Sequence, residues 1–552
     1  MYIWQLTHIQ THYNRQDKVI NEDALGYYII LPALFKYQDP DFEFIDTVLR
    51  KTKTYETYLP PVINPLNQNQ QVCKYYSGVA FMQAPFFLLA QLTVRDNDNG
   101  FGPHYQFWIL ISVVVYVLIG SYLYFRLFMI YGASPLLAFV MLVYVVFGTN
   151  LQVYISYDPA YSHAYTYCVL AVFLSCLHHL TQNRSMQLAL LTGLSLGLIA
   201  VIRPLNLYLG LLIPAYLGIH FLIKFKQNFS QISLLFLGFI VFPLIQSLLW
   251  YWQTGQFLVY PYGNEKLQLS KPELFEFLFG FDNGWAVYTP SAFVLLLLGI
   301  ALSCFNRSYK LAVFSLLGFG GILYLLSTWY YLHYGCTAGC RPITEYYGLM
   351  ALLFIKTWHE NPYKRTLKWV VAPILLSCFV YNRIVLYQYF NHIINWCNMD
   401  KARFSMIFMR THEVYKYNTY PFWDFSVYDA APIEGITIVN KTLKTDESVN
   451  IETDRITDTR EPVLVDIRGK ARTTNRTAYL RILITRDGQY IEQQTLLLQR
   501  KMKTDGQWHD YEFQFPLNTT MQGLKFWIIP ETVDGGKDGE VYIKEICFKT
   551  IL

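Results

Sequence analysis

Ten apolar runs, separated by shorter polar stretches, dominate the first 390 residues of the chain. They begin near Tyr105, Ser134, His163, Met186, Asn206, Gln231, Ala286, Leu311, Ile343 and Lys368. A helix of about 20 apolar residues crosses the hydrocarbon core of a bilayer, and each run approaches that length. We therefore predict an α-helical, polytopic membrane domain of about ten helices over residues 105–390.

Residues 1–104 are more polar, and we expect them to form a first exported loop with helices beside the membrane. An exported amino-terminal segment requires a preceding hydrophobic helix or signal, and residues 1–21 provide neither. We therefore expect that a first transmembrane helix is missing and that the true start lies upstream. The apolar run at residues 78–94 is barely of spanning length and contains Pro85, so we predict a helix that lies at the interface.

The pattern changes after Phe390, where charged residues become frequent and long apolar runs end. Residues 391–430 mix aromatic and polar side chains, as is typical of a connector that rests on a membrane surface. Residues 431–552 contain seven runs of strand-forming residues, with turn signals such as Asp487-Gly488 between them. We predict an all-β sandwich there, with a jelly-roll-like arrangement of strands.

Basic residues concentrate in every second loop between the apolar runs. If the residues before Tyr105 are exported, the inward loops hold ten lysines and arginines, and the outward loops hold four. Those four are Arg203, Lys266, Lys271 and Arg341. Because loops rich in Lys and Arg stay in the cytoplasm, the opposite loops and the C-terminal domain are predicted to face the exported side.

The composition agrees with a membrane protein. The 552 residues are 53% hydrophobic and 17% aromatic, which is too apolar for a soluble protein of this length. The formal net charge of +5 is spread over loops, which argues against nucleic acid as a partner. Cys336 and Cys340 share a short loop and can pair or bind a metal ion. No cluster of further Cys or His accompanies them in the sequence, so we predict no metal site.

An acidic pair, Glu22 and Asp23, precedes an apolar segment in the first loop. In one interpretation, the Asp23 carboxylate is a general base that takes a proton from an acceptor hydroxyl or amine. Glu22 is adjacent and can take the same role. In the other interpretation, Asp23 caps a short helix, as aspartate often does. The residue pattern alone leaves both open.

Asp158 and His163 lie in the second outward loop, within SYDPAYSHAYTY. Asp158 precedes Pro159 and fits a helix N-cap with proline at the first helical position, although it is also a candidate for substrate contact. His163 lies at the mouth of the next helix. It is either a hydrogen-bonded interfacial residue or a contact to a phosphate or an acceptor.

Arg203 and Arg341 share one context, since each lies at a boundary of an apolar run and precedes a proline. Snorkelling to the membrane boundary explains one such arginine easily and a pair less well. A guanidinium at that boundary suits a phosphate, because it stays charged and offers forked donors. Together with Lys74, these residues are candidates to bind the phosphate of a lipid whose tail stays in the bilayer.

The loop over residues 252–285 is rich in Tyr, Trp, Asn and Gly. Aromatic faces pack on sugar rings and amides bond to sugar hydroxyls, so Tyr262, Asn283 and Trp285 are candidates for substrate contact. Aromatic belts at membrane interfaces have a similar composition, so the pattern is not specific for a sugar.

These motifs together resemble the GT-C superfamily of integral-membrane glycosyltransferases, which includes protein O-mannosyltransferases and the lipid A aminoarabinose transferases. The resemblance covers about residues 20–390. It rests on Asp23 with GYYIILPALF, and on KYYSGVAFMQAPFFLLA, DPAYSHAYTY, IRPLN, GWAVYTP and WYYLHYGCTAGCRP. Within the superfamily, the chain is most similar to bacterial transferases.

The resemblance implies inverting transfer of a sugar from a polyprenyl-phosphate donor to a glycan, lipid or protein acceptor. The reaction would take place at the periplasmic face of a bacterial inner membrane. Asp23, or the adjacent Glu22, would be the general base. Lys74, Arg203 and Arg341 would stabilise the departing phosphate, and the lipid-linked donor is the only cofactor-like molecule implied.

Two other classes of protein fit part of the pattern. A flippase or transporter of polysaccharide or lipid-linked glycan also has many spans, but transporters usually place ionisable residues near the middle of the bilayer. Here such residues cluster near the ends of the apolar runs. A membrane anchor for a binding module does not need ten spans. We therefore favour an enzyme.

Overall fold

The computed structural model describes residues 2–12, 18–49, 62–66, 70–94, 98–183, 185–208, 229–332, 334–335, 337–394, 399–411, 436–439, 442–452, 463–475, 478–486, 489–498, 504–517, 524–532 and 540–551. The chain forms two compact units, Met1–Arg383 and Ile384–Leu552. The division falls shortly before residue 390, where the membrane domain is predicted to end.

The first unit is mainly helical. Its amino-terminal part contains α1 (Tyr2–His12), α2 (Asp23–Tyr28), α3 (Ile30–Pro32), the π-helical turns Ala33–Tyr37 and Ile45–Leu49, and an antiparallel pair of strands, β1 (Ile63–Pro65) and β2 (Gln71–Cys73). The next helices are α4 (Gly78–Thr93), α5 (Pro103–Ile130), α6 (Pro135–Phe147), α7 (Leu151–Ser156), α8 (Ser162–Gln182), α9 (Met186–Ile202) and the 3-10 turn Pro204–Asn206. Then follow α10 (Phe229–Thr254), α11 (Leu274–Phe279), α12 (Trp285–Tyr288), α13 (Pro290–Phe305), α14 (Tyr309–Ser327), the 3-10 turn Arg341–Tyr346, α15 (Tyr347–Glu360) and α16 (Lys364–Phe390). The boundary between the two units falls within α16, after Arg383.

Among the described residues, five helices are long and apolar enough to cross a membrane, namely α5, α8, α10, α14 and α16. They indicate a membrane protein. The sequence pattern predicts about ten spans, so the described residues contain fewer helices of spanning length than predicted. Four further apolar helices, α4, α6, α9 and α13, contain 13 to 17 residues.

Some helices are shorter than their apolar runs, because different features determine the limits of an apolar run and the limits of a helix. Apolar composition determines which residues avoid water, whereas proline and turn residues determine where helical hydrogen bonding begins and stops. Pro135 and Pro290 occupy the first positions of α6 and α13. The run that begins near Asn206 falls largely on residues 209–228, outside the described part of the chain. The run at Ile343 begins as a 3-10 turn before α15.

Helices α9 and α10 pack closely because glycines line their contact. A Cβ atom at Gly193 would lie 2.0 Å from the carbonyl oxygen of Leu235, and one at Gly197 would lie 2.3 Å from that of Phe239. Small residues commonly permit such close backbone approach between membrane helices.

The second unit contains α17 (Lys401–Ile407) and antiparallel strands. The strands are β3 (Ile436–Val439), β4 (Leu443–Lys444), β5 (Val449–Glu452), β6 (Val463–Thr473), β7 (Ala478–Arg486), β8 (Gln489–Leu497), β9 (His509–Leu517), β10 (Leu524–Thr532) and β11 (Val541–Ile551). One sheet has the order β5-β10-β7-β8, and the other has β3-β11-β6-β9, with β4 paired to β11.

Alternating apolar residues from both sheets form one buried core. Ile482 on β7 and Phe526 on β10 come from the first sheet, and Ile467 on β6 and Phe513 on β9 come from the second. This alternation follows the two-residue period of a strand. The prediction of antiparallel β-structure in this region is confirmed, and each of the seven predicted runs coincides with a strand. The predicted connector at residues 391–430 includes α17, and its residues 412–430 lie outside the described part.

Candidate functional site

Asp23 is the first residue of α2, and its carboxylate makes two strong contacts. Its Oδ2 atom lies 2.8 Å from a terminal guanidinium nitrogen of Arg341. Its Oδ1 atom accepts a hydrogen bond of 2.6 Å from the Tyr75 hydroxyl. Glu22 occupies the N-cap position with a positive φ of 51°, and its side chain makes no capping bond. The capping interpretation of Asp23 is therefore wrong.

Two glycines allow the surrounding segments to meet. Gly26 lies under the Tyr75 ring, and a Cβ atom there would lie 2.2 Å from a ring carbon. Gly78, at the start of α4, lies against the end of α9, where a Cβ atom would lie 2.4 Å from the backbone nitrogen of Ile202. Only a hydrogen atom fits at each position. The segment between β2 and α4 can therefore lie between α2 and the end of α9, next to Arg203.

The electrostatic surroundings keep Asp23 ionised. Burial raises the pKa of Asp23, but the Arg341 guanidinium, the hydrogen bond from Tyr75, and the charges of Lys74 and Arg203 together outweigh burial and hold this pKa below its ordinary value of 3.8. Burial and the neighbouring Asp23 raise the pKa of Tyr75 well above its ordinary value, so Tyr75 keeps its proton and remains a donor.

Arg341 begins the 3-10 turn Arg341–Tyr346 and lies between Asp23 and an aromatic ring. The centre of its guanidinium lies 5.7 Å from the centroid of the Tyr161 ring. Its Nε atom is buried and has no hydrogen-bond partner among the described residues. The Nε N–H of Arg341 is therefore a hydrogen-bond donor that the pair with Asp23 does not use.

Glu345 is the centre of a second buried network, one turn after Arg341. Its Oε1 atom lies 2.9 Å from a guanidinium nitrogen of Arg203 and 3.1 Å from Nδ1 of His163. Its Oε2 atom accepts a hydrogen bond of 2.6 Å from the Asn206 amide. Glu345 is fully buried, so this carboxylate depends entirely on those partners for solvation.

The sequence interpretation missed Glu345, although a signal for it was present. Burial raises the pKa of Glu345, but Arg203 and the hydrogen bonds from His163 and Asn206 outweigh burial and hold this pKa below its ordinary value. A carboxylate inside an otherwise apolar run needs such a partner. The position of Glu345 four residues after the Arg341-Pro342 pair was therefore the available clue.

Lys74 follows β2 directly and forms the third ion pair of the region. Its ammonium lies 2.6 Å from the Glu265 carboxylate. We call Asp23, Lys74, Arg203, Glu265, Arg341 and Glu345 the polar cluster. Its three cations all act on the Asp23 carboxylate. The structure thus brings together Asp23, Lys74, Arg203 and Arg341, which the sequence analysis selected from four distant segments.

Tyr262 borders the polar cluster. Its ring is partly buried and packs against the rings of Tyr76 and Trp329, with centroid distances of 6.1 and 5.6 Å. The charges of Arg203 and Asp23 both act on its hydroxyl. Of the three aromatic-loop candidates, Tyr262 is the one positioned beside these charges.

The remaining predicted site residues have structural surroundings of their own. Asp158 lies in the turn between α7 and α8, and Tyr161 holds the N-cap position of α8, so the N-cap interpretation of Asp158 is wrong. Asn283 donates a hydrogen bond of 3.2 Å to the carbonyl of Gly335. Trp285 is fully buried, and its indole N–H donates to the Tyr347 hydroxyl at 3.2 Å. A buried indole of this kind contributes to packing.

No group of three or more His, Cys, Asp or Glu side chains among the described residues is arranged to hold a metal ion. Cys340 is buried and has no disulfide partner within the described part of the chain. Cys336 lies outside the described residues, so the two alternatives for these cysteines, pairing or metal binding, both stay open.

An apolar cavity of about 370 Å³ lies between α4, α5, α8, α9 and α10, and Arg203 of the polar cluster directly follows α9. Phe81 of α4, Val169 of α8, Leu198 of α9 and Phe242 of α10 are among its lining residues. Leu198 precedes Arg203 by five residues. With a helical rise of about 1.5 Å per residue, the cavity begins about 8 Å from that arginine along the helix.

The arrangement combines a charged cluster with a neighbouring apolar cavity. Such a combination can hold a molecule with an anionic head and an apolar tail, and it provides an ionised carboxylate beside the head. Neither protein-family models nor curated protein sequences match this chain.

Proposed function

We propose that this protein is a GT-C-type glycosyltransferase that moves a sugar from a polyprenyl-phosphate donor to an acceptor at the exported face of the membrane. The observation that carries the proposal is the polar cluster, in which Asp23 and the cations Lys74, Arg203 and Arg341 meet beside an apolar cavity. In the proposed architecture, the helical unit has a GT-C-like fold, and the two C-terminal sheets form a β-sandwich.

The cations suit a phosphate because they are fixed in place before it binds. Arg203 and Arg341 are each oriented by a carboxylate at 2.9 and 2.8 Å. A guanidinium offers five N–H donors, so one carboxylate does not exhaust it, and Arg341 has a buried Nε without a partner among the described residues. A phosphate entering the cluster would be bound by the donors that remain.

The apolar cavity suits the isoprenoid tail. Some of its lining residues lie on α5, α8 and α10, which are long and apolar enough to span a membrane. Because the cavity begins about 8 Å from Arg203 along α9, one molecule can place its phosphate in the cluster and the start of its tail in the cavity. Burial of apolar chain there would add binding free energy without contributing to the chemistry.

In the proposed reaction, the acceptor hydroxyl attacks the anomeric carbon from the face opposite the phosphate, so the configuration inverts. Asp23 takes the proton from that hydroxyl, and the polyprenyl phosphate leaves with the electron pair of the broken carbon–oxygen bond. As negative charge grows on the phosphate, Arg341 is attracted towards it and away from Asp23. The basicity of Asp23 therefore rises at the moment when a base is needed.

Glu345 acts as a positioning residue in this proposal. It holds Arg203 and His163 through one carboxylate oxygen, and Asn206 holds the other. The Nε2 atom of His163 is buried and has no hydrogen-bond partner among the described residues. His163 therefore retains one ring nitrogen that can contact the sugar donor or the acceptor substrate. Tyr262 is a candidate for contact with the sugar.

The test is incubation of the purified full-length protein with labelled polyprenyl-phosphate sugars and membrane extracts. We expect a labelled product from the wild-type protein and none from Asp23→Asn, although this variant should still bind the donor lipid. Glu43→Gln is the matched control, because Glu43 is an exposed acid of the same loop. Retained turnover in Asp23→Asn would discard the assignment of the base. Movement of the labelled lipid between leaflets without a covalent product would instead identify a transporter.

A further inference from the structure

A second apolar cleft, of about 600 Å³, lies between α6, α15 and α16 and is separate from the proposed donor site. Its apolar lining includes Leu137, Met141, Phe354, Trp358, Leu375 and Phe379. Val140 and Leu376 also line the cleft and are 50% and 63% exposed, so the cleft is open to its surroundings. Its volume falls within the range of about 300–1,000 Å³ that is typical of ligand pockets.

Three basic residues at the start of α16 line the same cleft: Lys364, Arg365 and Lys368. The Lys364 ammonium donates a hydrogen bond of 2.8 Å to the carbonyl of His359. Arg365 and Lys368 have no carboxylate within 4 Å among the described residues. The cleft therefore has an apolar body and a positively charged end.

The charged end of the cleft lies at the start of α16, and a further cation lies near the end of this helix. Arg383, later on the same helix, donates a hydrogen bond of 2.9 Å to the carbonyl of Phe147, which ends α6. Lys364 precedes Arg383 by 19 residues, or about 28 Å of helix at 1.5 Å per residue. This length is close to the thickness of the hydrocarbon core, about 30 Å. The charged end of the cleft and Arg383 therefore lie near opposite ends of α16, about one hydrocarbon thickness apart.

Aromatic side chains near the charged end agree with a position at the membrane boundary. Trp369 is 74% exposed, and the Lys368 ammonium lies 4.9 Å from the centroid of its ring. Trp358 lines the cleft. Trp and Tyr side chains are enriched at the level of lipid head groups.

We propose that this cleft binds an anionic phospholipid, with its acyl chains against the apolar lining and its phosphate on Arg365 and Lys368. When α16 spans a bilayer, acyl chains surround its exposed apolar residues. A phospholipid provides both acyl chains for the apolar lining and a phosphate at the boundary for the cations. The net negative charge of the head group complements the unpaired cations. A zwitterionic lipid would place its own ammonium beside them.

The test measures lipid retained by the full-length protein in detergent, by native mass spectrometry, after addition of phosphatidylglycerol or phosphatidylcholine. We expect phosphatidylglycerol to be retained at least about 10-fold more tightly. Because each basic residue near a membrane surface changes the affinity about 5-fold, Arg365→Gln/Lys368→Gln should lower the affinity for phosphatidylglycerol about 30-fold. The matched control is Arg126→Gln/Lys310→Gln, which removes the same charge outside the cleft and should change the affinity less than 2-fold.

A second variant tests the apolar body without changing the charge. Ala372 lines the cleft, and Ala372→Phe should fill part of it and lower phosphatidylglycerol retention while the three cations remain. Thermal unfolding of each variant checks that the fold is retained, and if the double variant does not fold, Ala372→Phe decides. Equal retention of the two lipids, no effect of Ala372→Phe, or displacement of the lipid by millimolar inorganic phosphate would each overturn the proposal.

Discussion

Two groups of cations in the helical unit have opposite surroundings. In the polar cluster, Lys74, Arg203 and Arg341 each have a carboxylate within 2.6 to 2.9 Å. At the charged end of the cleft, Arg365 and Lys368 contact no carboxylate among the described residues. A cation withdrawn from water needs a partner, whereas one at a membrane boundary stays solvated. Pairing therefore distinguishes cations that a carboxylate holds in one orientation inside a site from cations that no carboxylate orients at the membrane boundary.

The largest expected effect is on catalysis, from removal of a paired cation. Arg341→Ala should lower the rate of sugar transfer about 10²- to 10³-fold, because a preorganised charge would no longer stabilise the departing phosphate. Transfer from a labelled donor measures this rate. Lys266→Ala, which removes an exposed cation, is the control and should change the rate less than 2-fold. Similar rates for the two variants would contradict a catalytic role for the paired cations.

The next effect is on stability, through Glu345. Glu345→Gln removes the carboxylate partner of Arg203, and we expect a loss of about 3 kcal/mol in the free energy of unfolding. This value is at the low end of the range for a broken buried ion pair, because the Arg203 side chain is partly exposed. Denaturant unfolding in detergent measures this change.

Glu360→Gln is the control for this substitution, because the pair of Lys356 and Glu360 is partly exposed and joins adjacent turns of one helix. It should cost less than about 0.5 kcal/mol. Equal losses of free energy of unfolding for Glu345→Gln and Glu360→Gln would show that burial of an ion pair does not increase its contribution to stability. Recovery of stability in Glu345→Gln/Arg203→Gln would support the pairing.

A smaller effect concerns pH. The pKa of Asp23 is lower in the folded protein than its ordinary value of 3.8, so at acidic pH the unfolded chain binds more protons than the folded protein does. The stabilisation from the pair of Asp23 and Arg341 is therefore complete above this value and is lost as pH falls below it. Glu345 behaves in the same way below its ordinary value of 4.5.

Unfolding measured between pH 6 and pH 3 checks this expectation. The wild-type protein should lose stability over the acidic part of that range, and Asp23→Asn should lose less, because one of the two titrating carboxylates is absent. Identical pH dependence in the two proteins would mean that the pair of Asp23 and Arg341 does not contribute to stability.

The smallest effect is expected at the third ion pair. The side chains of Lys74 and Glu265 are 17% and 22% exposed, so water and salt screen their attraction. Glu265→Gln should therefore cost at most about 1 kcal/mol of stability, and high salt should reduce that difference. A loss as large as that of Glu345→Gln would remove the distinction between the deeply buried pair and the partly exposed one.

The two units differ in how well their sequences predicted them. In the second unit, every predicted run coincides with a strand, because apolar residues alternate with the two-residue period of a strand. The runs at residues 478–485 and 524–529 are examples, and they became β7 and β10. The sequence analysis missed the two-residue strand β4 and the four-residue strand β5, although it predicted β3, which is also four residues long.

In the helical unit, the apolar runs located helices but overestimated the lengths of some of them. The run near Ser134 became the 13-residue α6, since Pro135 begins that helix and Gly148 follows it. For the candidate site, Arg203 and Arg341 stood out because each is an isolated charge beside an apolar run, and Asp23 stood out because it belongs to an acidic pair before an apolar segment. Trp285 had the composition expected of a sugar contact, but only packing reveals that it is fully buried.

The sequence by itself determined which segments of this protein avoid water and with what period, because these are properties of neighbouring residues. It also identified the isolated charges at the ends of apolar runs. Only the tertiary structure decided the pairing of Asp23 with Arg341 and of Glu345 with Arg203 and His163, since those residues lie far apart in the chain. Ion pairs depend on which helices pack together and how closely, and glycines such as Gly26 and Gly78 determine that approach.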